Sequence, residues 1–112
     1  MPYVNSFNCC GRLASAPSLG GEKGDRAKFI IALNKPGAPK PAYIDCILWG
    51  PGARIFTSVS GQGDEVFLSG ELETSTYVDD RGSWHKSVCL RVEQYALLGR
   101  SGGSRRALVP PV

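Results

Sequence analysis

Few residues in this chain are equipped for covalent chemistry. There is one histidine, His85, and no Ser, His and Asp arrangement, HExxH stretch or phosphate-cradling loop goes with it. Gly50, Pro51 and Gly52 precede a helical pattern but lack the Lys and Ser or Thr of a P-loop. The four cysteines, Cys9, Cys10, Cys46 and Cys89, form no CxxC pair and have no histidine at ligand spacing. Cys9 and Cys10, adjacent on a strand, point to opposite faces and do not grip one tetrahedral ion. The sequence thus implies no enzyme, no metal and no cofactor, and thiols that are neither catalytic nor disulfide-bonded. What remains is rings and cations.

The rings fall on alternating segments. In residues 42–49, AYIDCILW, a period of two places Tyr43, Asp45, Ile47 and Trp49 on one face and Ile44, Cys46 and Leu48 on the other. Residues 65–78, EVFLSGELETSTYV, set Val66, Leu68, Gly70 and Leu72 against Phe67, Ser69, Glu71, Glu73, Ser75 and Tyr77. Basic residues Arg12, Lys28, Lys35, Lys40, Arg81, Lys86 and Arg91 are interleaved with these rings. Stacking faces beside cations suit an unpaired nucleic-acid strand, whose bases are planar and whose backbone is anionic. Phe29 and Phe56 read instead as core.

These residues need a scaffold, and strand signals separated by Gly, Pro and Asp dominate the chain. Strands are expected over residues 4–13, 27–34, 42–49, 65–78 and 84–98. Residues 14–25, ASAPSLGGEKGD, read as a loop, and KPGAPKP (35–41) is too rich in proline to continue a paired strand. Ile55, Phe56 and Val59 give residues 53–60 a helical period. Residues 79–83, DDRGS, form the turn of a long β-hairpin that projects beyond the rest. Three strands, a helix and two strands fit an all-β, five-stranded OB-fold barrel with one short helix.

At 112 residues the chain holds one domain, read as residues 1–98, with a flexible basic tail at 99–112. The composition, 42% apolar and 21% charged, is that of a globular protein. The net charge of +3 resides in the tail arginines Arg100, Arg105 and Arg106, and the body carries ten basic and ten acidic residues. Attraction to a polyanion must therefore come from local patches or from the tail. No membrane-spanning run or signal peptide is evident, which points to an intracellular protein.

YIDCILWG, a short helix and then VFLSGELETSTYVDDRGSWHKSVCLRV resemble the third strand and long hairpin of bacterial-type single-stranded DNA-binding proteins. With NCCGRL and AKFIIALN the resemblance covers residues 4–98. It implies stacking of bases on Tyr43, Trp49 and Tyr77, and on Trp84 of the return arm. It also implies phosphate contacts from Arg12, Lys28, Lys35, Lys40, Arg81, Lys86 and Arg91. The implied partners are single-stranded DNA, or RNA, further copies of the chain in a homo-oligomer, most simply a tetramer, and replication or recombination proteins. The implied location is the cytoplasm and nucleoid, or the cell hosting a phage or plasmid that encodes it.

Acidic residues on the ring-bearing faces favour a rival, an adaptor of the replication or primosome machinery or an RNA-binding module, and two further features depart from the family pattern. Asp45, Glu71 and Glu73 share the ring-bearing faces, KPGAPKP stands where the family has a further aromatic, and the chain ends in SRRALVPPV rather than an acidic, Phe-terminated tip.

Overall fold

In the computed structural model, which describes residues 2–100, the alternating segments close into a barrel. Its elements are β1 (Phe7–Leu13), β2 (Ser18–Gly20), β3 (Arg26–Leu33), β4 (Ala42–Trp49), α1 (Pro51–Val59), β5 (Glu65–Val78) and β6 (Trp84–Gly99). The sheet order is β1-β5-β6-β4-β3-β2, and an added β1–β3 pairing joins five of the strands in a ring. Among the described strands only the β4–β6 pair is parallel. The barrel is the expected OB architecture, with β2 as a sixth strand.

Alternation fills the inside. Leu13, Phe29, Ile31, Cys46, Leu48, Val66, Leu68, Leu90 and Val92 point inward and are buried. The helix adds Ala53 and Phe56. The Phe56 ring centroid lies 4.8 Å from that of Phe29 and 4.8 Å from that of Tyr95, the latter pair edge to face, so three elements meet at one ring. Ile55, which the helical period grouped with Phe56, faces solvent instead. Among the described residues no helix is long and apolar enough to cross a membrane.

Five elements differ from the sequence reading, among them β3, which spans Arg26–Leu33 rather than 27–34. β2 lies in a segment read as a loop, because three residues are too few to show a period and pair only with Lys28, Ala27 and Arg26. β1 starts at Phe7 rather than at residue 4. Upstream, the Asn5 amide donates to the Leu72 carbonyl at 2.9 Å and accepts from the Leu72 N–H at 2.9 Å, a side chain standing in for a ladder rung. The helix starts at Pro51, two residues early, since proline is preset for the first helical position and Gly50 supplies a φ of 98° just before it. β6 runs one residue further, through Gly99.

The long hairpin leaves the barrel where burial stops. β5 is buried at every second residue up to Gly70 and exposed from Leu72 to Val78. At this rim the β5–β6 register shifts between Ser69 and Gly70, with Gly70 facing Val92 and Ser69 facing Gln94. The extra residue on β6 bends the pair, and a Cβ on Gly70 would run into the Arg91 carbonyl.

Candidate nucleic-acid interface

Strand pairing arranges the outward side chains in rows across β3, β4, β6 and β5. Ile30 pairs with Asp45, Asp45 with Cys89, and Cys89 with Glu73. The next row runs Lys28, Ile47, Arg91 and Glu71. Trp49 stands opposite Arg26 at one end of β4, and Tyr43 opposite Ala32 at the other. Six residues of strand hold these rings roughly 20 Å apart. Tyr43 is 62% exposed and Trp49 49%, so neither ring is consumed by the core. Arg12 pairs with Ala32 and so joins the Tyr43 row. Its guanidinium donates to the Gly63 carbonyl at 2.9 Å, which steadies the side chain without neutralising it.

The hairpin extends this face outward. Tyr77 pairs with His85, and their rings stack with centroids 5.0 Å apart and an interplanar angle of 18°. His85 Nε2 donates to Asp79 Oδ2 at 2.6 Å, while Asp79 Oδ1 accepts from the N–H groups of Arg81 and Ser83 at 2.9 Å each. The His85 hydrogen bond, followed by that from Ser83, holds the Asp79 carboxyl below its ordinary value. Ser75 and Ser87 share a hydroxyl hydrogen bond of 2.9 Å. Arg91 lies 3.8 Å from Glu73, which offsets part of its charge.

Trp84 and Lys86 belong to the other side of the hairpin. Trp84 pairs with Val78 and Lys86 with Thr76, in the alternate positions that lead down to buried Leu90. Trp84 is the most exposed of the four rings at 74%, yet it points away from the face that carries Tyr77. Arg81 occupies the turn at the hairpin tip. Lys35 and Lys40 are exposed in the segment joining β3 to β4, next to the Tyr43 end of the face.

Arg26 was absent from the residues singled out by sequence. Its guanidinium lies 6.0 Å from the Trp49 ring centroid, over the ring, and its Nε is buried with no hydrogen-bond partner. The signal was present, because a period of two carried back from Lys28 reaches Arg26. The cation–π contact keeps a positive charge beside the ring. His85 was noticed only as a lone histidine, and its stack with Tyr77 depends on hairpin register.

The thiols separate by face. Cys46 is buried, and burial pushes its pKa up to about 12. Cys9 is half-buried on the inner side of β1 and Cys10 exposed on the outer side, as adjacent strand residues must be. Cys89 is half-buried on the outer face, where desolvation and then the nearby Glu73 raise its pKa. All four are free.

The barrel matches solved structures of low sequence identity. The mitochondrial single-stranded DNA-binding protein of S. cerevisiae superposes with a TM-score of 0.74 at 18% identity, over 90% of this chain and 100% of that one. The Plasmodium falciparum single-stranded DNA-binding protein, solved with single-stranded DNA, superposes with a TM-score of 0.75 at 14% identity, over 88% and 97%. No curated protein matches the chain. These likenesses establish the fold, and the family comes from the sequence itself. The single-strand binding protein family matches residues 4–98, nearly the whole described body, and the chain belongs to that family.

Proposed function

We propose that the chain binds single-stranded DNA by stacking bases on Tyr43, Trp49 and Tyr77, with phosphates held by the cations around them. It would thereby protect unpaired strands during replication, recombination or repair. The observation that carries this reading is the continuous outer face of β3, β4, β6 and β5, on which three exposed rings stand clear of the core. Every base has a π-face, so such a surface grips most sequences. Arg12, Arg26, Lys28, Lys35 and Lys40 lie beside the rings of β4 and supply the salt-dependent part. Membership of a family of non-enzymatic DNA-binding proteins supports the same reading.

The active unit is proposed to be a homo-oligomer, with a tetramer as the expected form. β1 pairs with β5 along Phe7–Arg12 but with β3 only at Arg12 and Leu13, which leaves backbone groups on its second edge open to a second copy.

Asp45, Glu71 and Glu73 lie on the same face and favour the second reading, a replication adaptor or RNA-binding module. Titration with single-stranded DNA, RNA and duplex of matched length, followed by tryptophan fluorescence, separates the two. Tightest binding to single-stranded DNA is the expected result. Preference for RNA, or no binding to any of the three, would transfer the face to the second reading.

A further inference from the structure

His85 is the only histidine in the chain, and it sits near the hairpin tip on the face that carries Tyr77. Its side chain is 43% exposed. One ring nitrogen is committed: Nε2 donates to Asp79 Oδ2 at 2.6 Å, and that carboxylate is itself fixed by the N–H groups of Arg81 and Ser83. Nδ1 has no hydrogen-bond partner among the described residues. A neutral imidazole that donates from Nε2 carries a lone pair at Nδ1, and protonation turns that lone pair into a second donor. The proton is therefore gained on the nitrogen that Asp79 leaves unused.

The groups around the ring accommodate that charge. β5 packs Tyr77 against it with centroids 5.0 Å apart, and a cation over a phenol ring is favourable. The turn contributes Asp79, with Asp80 and Arg81 beside it in the chain. Ser75 and Ser87, the next pair on the same face, are uncharged. The His85 bond first and the Ser83 N–H next hold the Asp79 carboxyl below its ordinary value, so Asp79 stays ionised at the pH where an imidazole gains its proton. A protonated Nδ1 is satisfied best by an anionic oxygen, and a nucleotide whose base covers Tyr77 brings its phosphate to this neighbourhood.

We propose that the hairpin tip makes a proton-linked contact with one nucleotide, whose base stacks on Tyr77 while the imidazolium of His85, anchored at Nε2 by Asp79, donates from Nδ1 to its phosphate. The linkage is reciprocal, so a fall in pH tightens DNA binding and bound DNA draws a proton from solvent onto His85. This inference rests on the single-stranded DNA reading given above.

The test measures affinity for an oligothymidine long enough to cover the face, by tryptophan fluorescence at one salt concentration, at about pH 8 and about pH 5.5, near the two ends of the range in which histidine changes charge. Thymine neither gains nor loses a proton over that interval. The parent is expected to bind about two- to fivefold tighter at the lower pH, the contribution of an exposed charge pair. Calorimetry in two buffers of different ionisation enthalpy should show protons taken up on binding near neutral pH. His85→Gln should abolish both the rise and the uptake. Asp45, Glu71 and Glu73 lie on the same face and would also favour DNA on gaining protons, so an equal rise in the His85→Gln variant assigns the effect to them and overturns the inference. Tyr77→Ala should reduce the rise, because the nucleotide is no longer seated beside His85. An undiminished rise in that variant means that the charge acts at a distance, and this too overturns the inference. A parent that binds equally at both pH values and takes up no proton overturns it while leaving the DNA-binding reading intact. A parent that binds at neither pH overturns the DNA-binding reading as well.

Discussion

His85 stacks on Tyr77 with ring centroids 5.0 Å apart, and the same imidazole donates to Asp79 across the turn. A ring that would meet DNA is thus tied to a carboxylate in the turn. The carboxyl of Asp79 should titrate below its ordinary 3.8, and His85→Ala should move it back up, as seen in an NMR titration. Because the folded pKa is depressed, this contribution is present above the ordinary value and is lost as pH falls through the lowered one. Amide exchange at Arg81 and Ser83 should quicken over that same window.

Removal of each stacking ring tests the face directly. Tyr43→Ala, Trp49→Ala and Tyr77→Ala should each cost about 1–3 kcal/mol of single-stranded DNA affinity, and the loss should persist at high salt. Trp84→Ala should cost less, because that ring points to the reverse of the hairpin. An equal loss at Trp84 in titration calorimetry would mean that the strand contacts both sides.

Charge should separate from stacking in its salt response. For single strands the slope of log affinity against log salt is about −0.7 per phosphate neutralised, so Arg12→Ala or Lys28→Ala should flatten it. Glu73→Ala should tighten binding at low salt, because it removes a repelling acid and frees Arg91 from its 3.8 Å partner. A steeper slope in the Arg12 or Lys28 variants would contradict their phosphate role.

The thiols should react in order of exposure. Cys10 should be alkylated first in the native protein, and Cys46, buried with its pKa near 12, should react only on unfolding. Cys46→Ser should destabilise by about 1–3 kcal/mol through burial of a hydroxyl, whereas Cys89→Ser should change stability little. Mass spectrometry and thermal melts read both. Early labelling of Cys46 would count against the core assignment.

The open edge of β1 should be covered in solution. Light scattering at micromolar concentration should give a mass above that of one chain, and a monomeric mass would remove the proposed assembly.

How much of this was legible follows from the length of each pattern. β4 and β5 begin and end where the alternation does, because one side of each is buried and a slip of one residue would invert every side chain. β2 was invisible, since three residues carry no period. Tyr43 and Trp49 share a face by parity alone, which the sequence contains. Tyr77 and Trp84 diverge because of where the five turn residues put the register, and parity within one strand says nothing of that. Residues 101–112, with Arg105 and Arg106 of the expected tail, lie outside the described residues.

The register shift at Gly70 has a bearing on how this surface changes over time. The angle at which the hairpin departs is set by backbone, by one surplus residue and one missing Cβ, and not by the groups that line the cleft beneath it. Aperture and lining are therefore separate variables. Substitutions at positions 45, 75, 87 or 89 alter the lining of the groove between β4 and the hairpin without altering how wide it stands. A single methyl at position 70 would shift the jaw itself and misalign every contact on the arm at once.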